Sequence, residues 1–169
     1  MITERENALK AIKHGIPDWT PNFLDTYSPV GASILRDQGE FGKGGRDLFG
    51  SMWLVTPDTG YMTIHSPHEH ILDDITQWRN IIRFPDLASI DWASESRKDL
   101  ARADRVSKLI CLISLTGSFN RLEALMGTCE SMIAMYEEPD EVNAFFTAYT
   151  DLDRKSVVLG KSVYIGGRR

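Results

Sequence analysis

The chain has 169 residues, 42% of them hydrophobic, with 19 basic and 24 acidic side chains and a formal net charge of −5. That suffices for one real core and is too apolar and mixed for a wholly disordered chain. It lacks the ~18–20 residue apolar run of a spanning helix, the basic-then-apolar start of a signal peptide and the clustered Lys and Arg of a nucleic-acid footprint, so a cytoplasmic protein with neither membrane nor nucleic-acid partners is the expectation.

Thr3-Glu4-Arg5-Glu6 is a capping box, the threonine placed to accept the Glu6 N–H and Glu6 to reach back. A helix follows, with Ala8, Leu9 and Ile12 as its apolar stripe and His14-Gly15 before Pro17 as its stop. Trp19 to Leu24 reads as a short buried strand ending in Asp25-Thr26-Tyr27-Ser28-Pro29. The glycine density from Gly39 to Arg46 signals a mobile loop. Met52–Thr56 and Tyr61–His65 flank Pro57-Asp58-Thr59-Gly60, whose proline and glycine suit a tight turn, so a β-hairpin is predicted.

After the hairpin, His65, His68 and His70 could in principle chelate a metal, but Pro67 stiffens the segment and a solvated connection is the plainer reading; no metal site is assigned. Asp73 and Asp74 are neighbours that would point to opposite sides of an extended chain, which suits caps and surface charge better than one acid/base site. Thr76 can cap a short helix through Ile82, broken by Phe84-Pro85-Asp86. A polar helix is predicted from Ala93 to Asp104.

Lys108 to Leu115 is a near-continuous apolar run, the pattern of a parallel strand buried on both faces. Helices are predicted from about Asn120 to Met126, from about Cys129 to Glu137, and from Pro139 to about Asp151, the last with Asp140 and Glu141 in its first turn. Met126, Met132, Met135 and Tyr136 recur at helical spacing and read as core. Cys111 and Cys129 lack C-x-x-C spacing and read as buried thiols, not a disulfide or zinc knuckle.

From Asp153 onward the composition changes. Residues 153–169 hold five of the basic residues and one acid, leaving residues 1–152 with 14 basic and 23 acidic side chains, a net −9. A basic arm for nucleic acid or membrane is one reading. The segment also resembles the conceptual translation of a common short-read sequencing adapter, which makes 153–169 a non-native tail and puts an interruption of the natural frame near Leu152. Gly160-Lys161-Ser162 does not complete a phosphate loop, because the motif's first glycine would fall at Lys155.

Several stretches in order resemble the uroporphyrinogen decarboxylase superfamily: Thr3–Leu9 with Pro17-Asp18-Trp19; Asp47-Leu48-Phe49-Gly50-Ser51-Met52-Trp53; Ile71–Ile75 with Phe84–Leu87; and Gly117-Ser118-Phe119 with Leu125-Met126-Gly127 and Tyr136–Pro139. The resemblance implies an α/β fold, an incomplete (β/α)8 TIM barrel with a β-hairpin insertion over residues 1–152, since such a barrel takes about 250 residues. It also implies one of two chemistries. Family decarboxylases act on the acetate arms of a tetrapyrrole without cofactor, holding carboxylates with arginines; relatives are zinc-dependent methyltransferases that work with a corrinoid protein and a small methyl donor. The decarboxylases carry an arginine-rich motif just after the first strand, whereas Phe23 to Gly31 holds no arginine, which removes the best bidentate carboxylate partners and favours methyl transfer.

On this reading Asp25 and Tyr27, at the C-terminal end of the first strand, are the catalytic candidates, although Asp25 could equally cap the next turn. Gly117 and Phe119 are the substrate-binding candidates, in the loop that lines the family's pocket. No cofactor is assigned to the fragment; zinc and a corrinoid are implied for an intact protein. A truncated chain without activity of its own is the alternative, because an unfinished barrel exposes a sheet edge and apolar surface.

Overall fold

The computed structural model describes residues 2–40, 42–114 and 116–164, with side chains as far as Ser156. The chain divides into two compact units, one built from Met1–Ala32 and Asp91–Ile113, the other from Ser33–Ile90 and Ser114–Val158. Among the described residues no helix is long and apolar enough to cross a membrane.

The first unit opens with α1 (Glu4–Ile12), whose capping box forms as predicted. The Glu6 N–H donates to Thr3 Oγ1 at 3.1 Å and the Thr3 N–H donates to Glu6 Oε2 at 2.8 Å. The helix is stopped by His14, which takes the left-handed conformation at φ 60°, while Gly15 N–H donates to the Lys10 carbonyl at 2.8 Å. Asn7, not the expected Ile12, is the residue α1 buries beside Ala8; Ile12 is 56% exposed.

Trp19 to Leu24 does not form the predicted strand. Asn22 caps a single helical turn, α2 (Phe23–Thr26), by accepting the Asp25 N–H, and the strand β1 (Tyr27–Val30) begins after it. The side chain of Asn22 offers the backbone a local partner that the ladder would have had to replace. Strand β1 pairs in parallel with β5 (Leu109–Leu112), Tyr27 opposite Leu109 and Val30 opposite Leu112. Pro29 is tolerated because β1 has one neighbour among the described residues, so a missing N–H breaks no second ladder. All four residues of β5 are half-buried, not enclosed on both sides as its apolar run suggested; Leu115, the last residue of that run, lies outside the described residues. Helix α4 (Trp92–Leu100) is capped by Asp91, whose side chain accepts the Ser94 N–H.

The second unit carries the hairpin where it was predicted. β3 (Met52–Val55) pairs antiparallel with β4 (Thr63–His65), Trp53 opposite His65, and β2 (Gly45–Arg46) joins on the other side of β3. The glycine-rich stretch before it is a run of tight turns: a Cβ on Gly44, at φ 75°, would lie 2.4 Å from the Trp53 carbonyl oxygen, so only glycine lets the two backbones approach. Phe41, within that stretch, lies outside the described residues.

The short helix α3 (Trp78–Ile81) follows a 3-10 turn over Ile75–Gln77, and the cap is Asp74, which accepts the Thr76 N–H at 2.8 Å, rather than Thr76 itself. Helices α5 (Ser118–Met126), α6 (Thr128–Glu137) and, as far as Val158, α7 (Pro139–Tyr164) complete the unit. Its core gathers Leu72, Ile75, Trp78, Ile82, Leu122, Leu125, Phe145 and Tyr149. Phe145 sits at the centre, its ring 5.6 Å from Trp78 and 6.4 Å from Tyr149, spacings that favour edge and offset aromatic contact. Helix α7 passes Leu152 without a break, so the shift in composition at Asp153 has no counterpart in backbone conformation; residues 165–169 of the tail lie outside the described residues.

The incomplete (β/α)8 barrel is overturned. The five strands of the described residues lie in two small sheets, a parallel pair and an antiparallel three. Between β1 and β5 the chain spends almost eighty residues without adding a strand to the parallel pair, and the strands it makes there bond to one another. A barrel needs each strand flanked on both sides by parallel neighbours, and among the described residues β1 and β5 have only each other.

Candidate functional site

The most concentrated polar chemistry of the described residues lies inside the second unit, around Arg121. This arginine occupies the first turn of α5 and shares a helical stripe with Ala124 and Leu125, so its position in the sequence carries it into the apolar interior. Its side chain is 1% exposed. A buried guanidinium is tolerable only where carboxylates neutralise it and take up its N–H groups. Two do. Nη1 donates to Asp47 Oδ2, and Nη2 donates to the Asp37 backbone oxygen at 2.9 Å and to Asp37 Oδ1 at 3.0 Å.

Asp47 is positioned by its own loop. Its Oδ1 accepts the Phe49 and Ser51 N–H groups, each at 2.9 Å, and its Oδ2 accepts the Trp53 indole N–H at 2.7 Å. The turn that wraps the carboxylate closes through Gly50 at φ 89°. Asp37 in turn accepts the Thr116 N–H at 3.0 Å, and the Tyr149 hydroxyl donates to the Thr116 carbonyl at 2.9 Å. The guanidinium carbon stands 4.5 Å from the centre of the Phe49 ring and 5.7 Å from that of Tyr149, within cation–π range.

Burial by itself would ease the proton off Arg121, but Asp47, Tyr149 and Asp37 outweigh it and its pKa is raised, so the cation persists. Burial pushes the Tyr149 hydroxyl up to about 12, with Arg121 pulling the other way. Asp153, whose Oδ1 accepts from the Ser114 hydroxyl at 3.5 Å, is raised by burial and then by the charge of Asp37. Three buried polar atoms in this region have no hydrogen-bond partner among the described residues: Arg121 Nε, Ser51 Oγ and Thr116 Oγ1. Chemically the centre is a neutralised strut. Both terminal nitrogens of the guanidinium are committed to the chain's own carboxylates, so it does not offer the two-pronged edge that holds a substrate carboxylate.

The candidates named from sequence fall in different units. Asp25 and Tyr27 are in the first unit, at the N-terminal end of β1 rather than the C-terminal end expected of them, because the strand starts at Tyr27. Asp25 is exposed and lies within the turn that Asn22 caps, its carboxylate accepting from the Asn22 side-chain amide at 2.6 Å, so the capping role expected of Asp25 belongs to Asn22. Gly117 and Phe119 are in the second unit. Gly117 precedes α5 with extended backbone at φ −77°, and a Cβ there would meet only Asn120 Oδ1, at 3.8 Å. Phe119 is half-buried and lines a shallow groove of about 490 Å³ with Met132, Met135 and Tyr136. Helical spacing makes those three core with Met126; Met126 is buried, but they are 58%, 43% and 88% exposed.

Zinc, which the resemblance implies, does not fit the described residues: no group of three His, Cys, Asp or Glu among them could hold a metal ion. Cys111 is half-buried and Cys129 exposed, not the buried thiols expected. Of the histidines, His68 is exposed, and His70 turns Nε2 into the protein beside Gly127 without a hydrogen-bond partner among the described residues.

No protein-family model, curated protein or solved structure matches the chain.

Proposed function

We propose that this chain is part of an enzyme of the uroporphyrinogen decarboxylase superfamily that acts on a corrinoid-linked methyl group rather than on the carboxylates of a tetrapyrrole. The reading is supported by the order and spacing of the resembling stretches along residues 1–152, and several of them are in contact. Asn7 of the first segment accepts the Asp18 N–H at 2.7 Å and donates to the Trp19 carbonyl at 2.9 Å. Asp47, bonded to Trp53 within its own segment, accepts from Arg121, which stands between the Gly117–Phe119 and Leu125–Gly127 segments. The Ile71 and Leu72 N–H groups both donate to the Leu125 carbonyl. The reading rests on these residues and not on the sheet architecture.

The choice of methyl transfer is supported by what happens to the arginines. Phe23 to Gly31 holds none, and Arg121 is spent on Asp37 and Asp47. A substrate bearing many carboxylates would be left without bidentate partners there. No step is assigned through zinc or the corrinoid, since the described residues offer no ligand set. A cytoplasmic setting accords with the exposed thiol of Cys129, which a reducing compartment keeps free.

The test is to read the native frame past the codon for Leu152, express that extended protein, and assay it anaerobically for carbon dioxide release from uroporphyrinogen and for methylation of a reduced corrinoid. Methylation without decarboxylation is the expected result, with the 169-residue chain inactive in both assays. Decarboxylation would overturn the methyl branch, and a folded extended protein inactive in both would overturn the family reading. A native frame that does end in Gly-Gly-Arg-Arg would overturn the non-native origin of residues 153–169.

A further inference from the structure

The ring of His70 is half-buried, with Nε2 turned inward and lacking a hydrogen-bond partner among the described residues. It stands against Gly127, the joint between α5 and α6. A Cβ on that glycine would meet His70 Cε1 at 2.6 Å, Glu130 Oε2 at 2.8 Å and His70 Nε2 at 2.9 Å, so the imidazole edge and the Glu130 carboxylate flank the same spot. Glu130 lies in the first turn of α6 and is exposed, so its side chain can change rotamer at little cost. Of the other ionisable groups on the elements packed here, Glu69 pairs with Arg46 at 2.7 Å and Asp74 accepts the Thr76 N–H, while His68, Asp73 and Cys129 are exposed. On α5, Glu123 accepts from the Asn120 side-chain amide at 3.2 Å, and in the turn at Gly50, against which Ile71 packs, Asp47 is held by Arg121.

We propose that His70 and Glu130 form a pH-sensitive latch: with the proton on the ring, Nε2 donates to the Glu130 carboxylate and ties residues 66–74 to the start of α6, and without it the two side chains stand apart. The chemistry assigns the direction. As an unprotonated acceptor, Nε2 forgoes a single hydrogen bond; once protonated it is an inward-facing cationic N–H, and a charge withdrawn from water needs an anionic partner. Glu130 is the carboxylate placed to supply it, and a charge-assisted bond is stronger than a neutral one. Imidazole changes charge between about pH 5 and 8. Because the bond exists only with the proton bound, the stability it adds is present on the acid side of that range and is lost as pH rises through it. Ile71 and Leu72 already donate their N–H groups to the Leu125 carbonyl, so the latch closes a second tie across the α5–α6 joint.

The experiment is a double-mutant cycle on the full chain: the parent, Glu130→Ala, His70→Leu and the double variant, unfolded in urea at about pH 5.5 and at about pH 8, on either side of imidazole titration. A coupling of about threefold or more in the folding equilibrium constant is expected at the acid pH and none at the alkaline one. The cycle cancels the titration of the other histidines. Should a His70→Leu variant fail to fold, Glu130→Ala, at an exposed position, decides alone: its loss of stability should be larger in acid than in alkali. A local readout goes with it. Amide hydrogen exchange of Ile71 and Leu72, corrected for intrinsic rates, should slow in the parent relative to Glu130→Ala at the acid pH and match it at the alkaline one. Coupling that is absent or equal at the two pH values, or protection that Glu130→Ala leaves unchanged in acid, would overturn the proposal.

Discussion

Helices α5 and α6 are consecutive, similar in length and joined by the single residue Gly127, yet they use their side chains in opposite ways. α5 turns Leu122, Leu125, Met126 and the charged Arg121 inward, whereas α6 turns Ser131 and Ala134 inward and leaves its large apolar residues outside. The contrast teaches that apolar character does not by itself decide burial. Arg121 is inside because Asp37 and Asp47 are there to meet it; Met132 is outside because α6 is held by small side chains that let it lie close, with Ser131 Oγ donating to the Gly127 carbonyl at 2.6 Å.

The most forceful way to break the comparison is to remove the charge that α5 buries. Arg121→Met leaves Asp47, whose side chain is fully buried, as an uncompensated anion, and breaking a buried pair of this kind costs about 3–5 kcal/mol. Urea unfolding at neutral pH measures it. A loss under about 1 kcal/mol would mean that the pair is not formed, or that water reaches Asp47.

Next comes the joint between the two helices. Gly127 has φ 91°, and a Cβ there would stand 2.6 Å from His70 Cε1 and 2.8 Å from Glu130 Oε2. Gly127→Ala therefore combines backbone strain with a ring that must move, and about 1–3 kcal/mol of destabilisation is expected from the same titration. If the variant is as stable as the parent, the helices do not meet at the angle described.

A smaller effect, with a pH signature, belongs to the strut. The Tyr149 hydroxyl is held at about 12 against an ordinary 10.0, chiefly by burial. A folded-state pKa above the unfolded one gives stability that is complete below pH 10 and is lost as pH rises towards 12. Melting followed between pH 9 and 12 should show this loss, and Tyr149→Phe should flatten it while giving up roughly 1 kcal/mol at neutral pH, the hydroxyl's bond to the Thr116 carbonyl. An unchanged alkaline limb in the variant would assign the loss to other tyrosines.

What the sequence made legible was local. The Thr3–Glu6 capping box, the hairpin around Pro57–Gly60 and the start of α7 at Pro139 each depend on a few adjacent residues whose geometry leaves little choice. The strand at Trp19–Leu24 misled because the side chain of Asn22 captures the Asp25 N–H, a bond that apolar content does not reveal. The barrel misled because strand pairing is settled by partners far along the chain: β1 and β5 pair across almost eighty residues and gain no further parallel neighbour among the described residues. The Arg121 centre joins residues 74 and 84 positions apart; its one visible trace was a lone cation on the apolar stripe of α5, a placement that demands a buried acid. For α6 the periodicity was right and the side was wrong, since spacing says which residues share a face and not which face is covered.

That last point can be measured with one pair of substitutions. Leu125 is fully buried in the core of the second unit, and Leu125→Ala removes methyl groups from a packed site, for about 2–5 kcal/mol. Met132 is 58% exposed, so Met132→Ala takes away side chain that already faces water. Alanine and methionine have similar helix propensities, leaving a change within about 0.5 kcal/mol. Both substitutions delete apolar atoms from neighbouring helices, so composition alone predicts comparable losses, and only the covered side of each helix predicts a gap of several-fold or more. A Met132→Ala loss approaching that of Leu125→Ala would mean that the methionine face is packed within the chain itself.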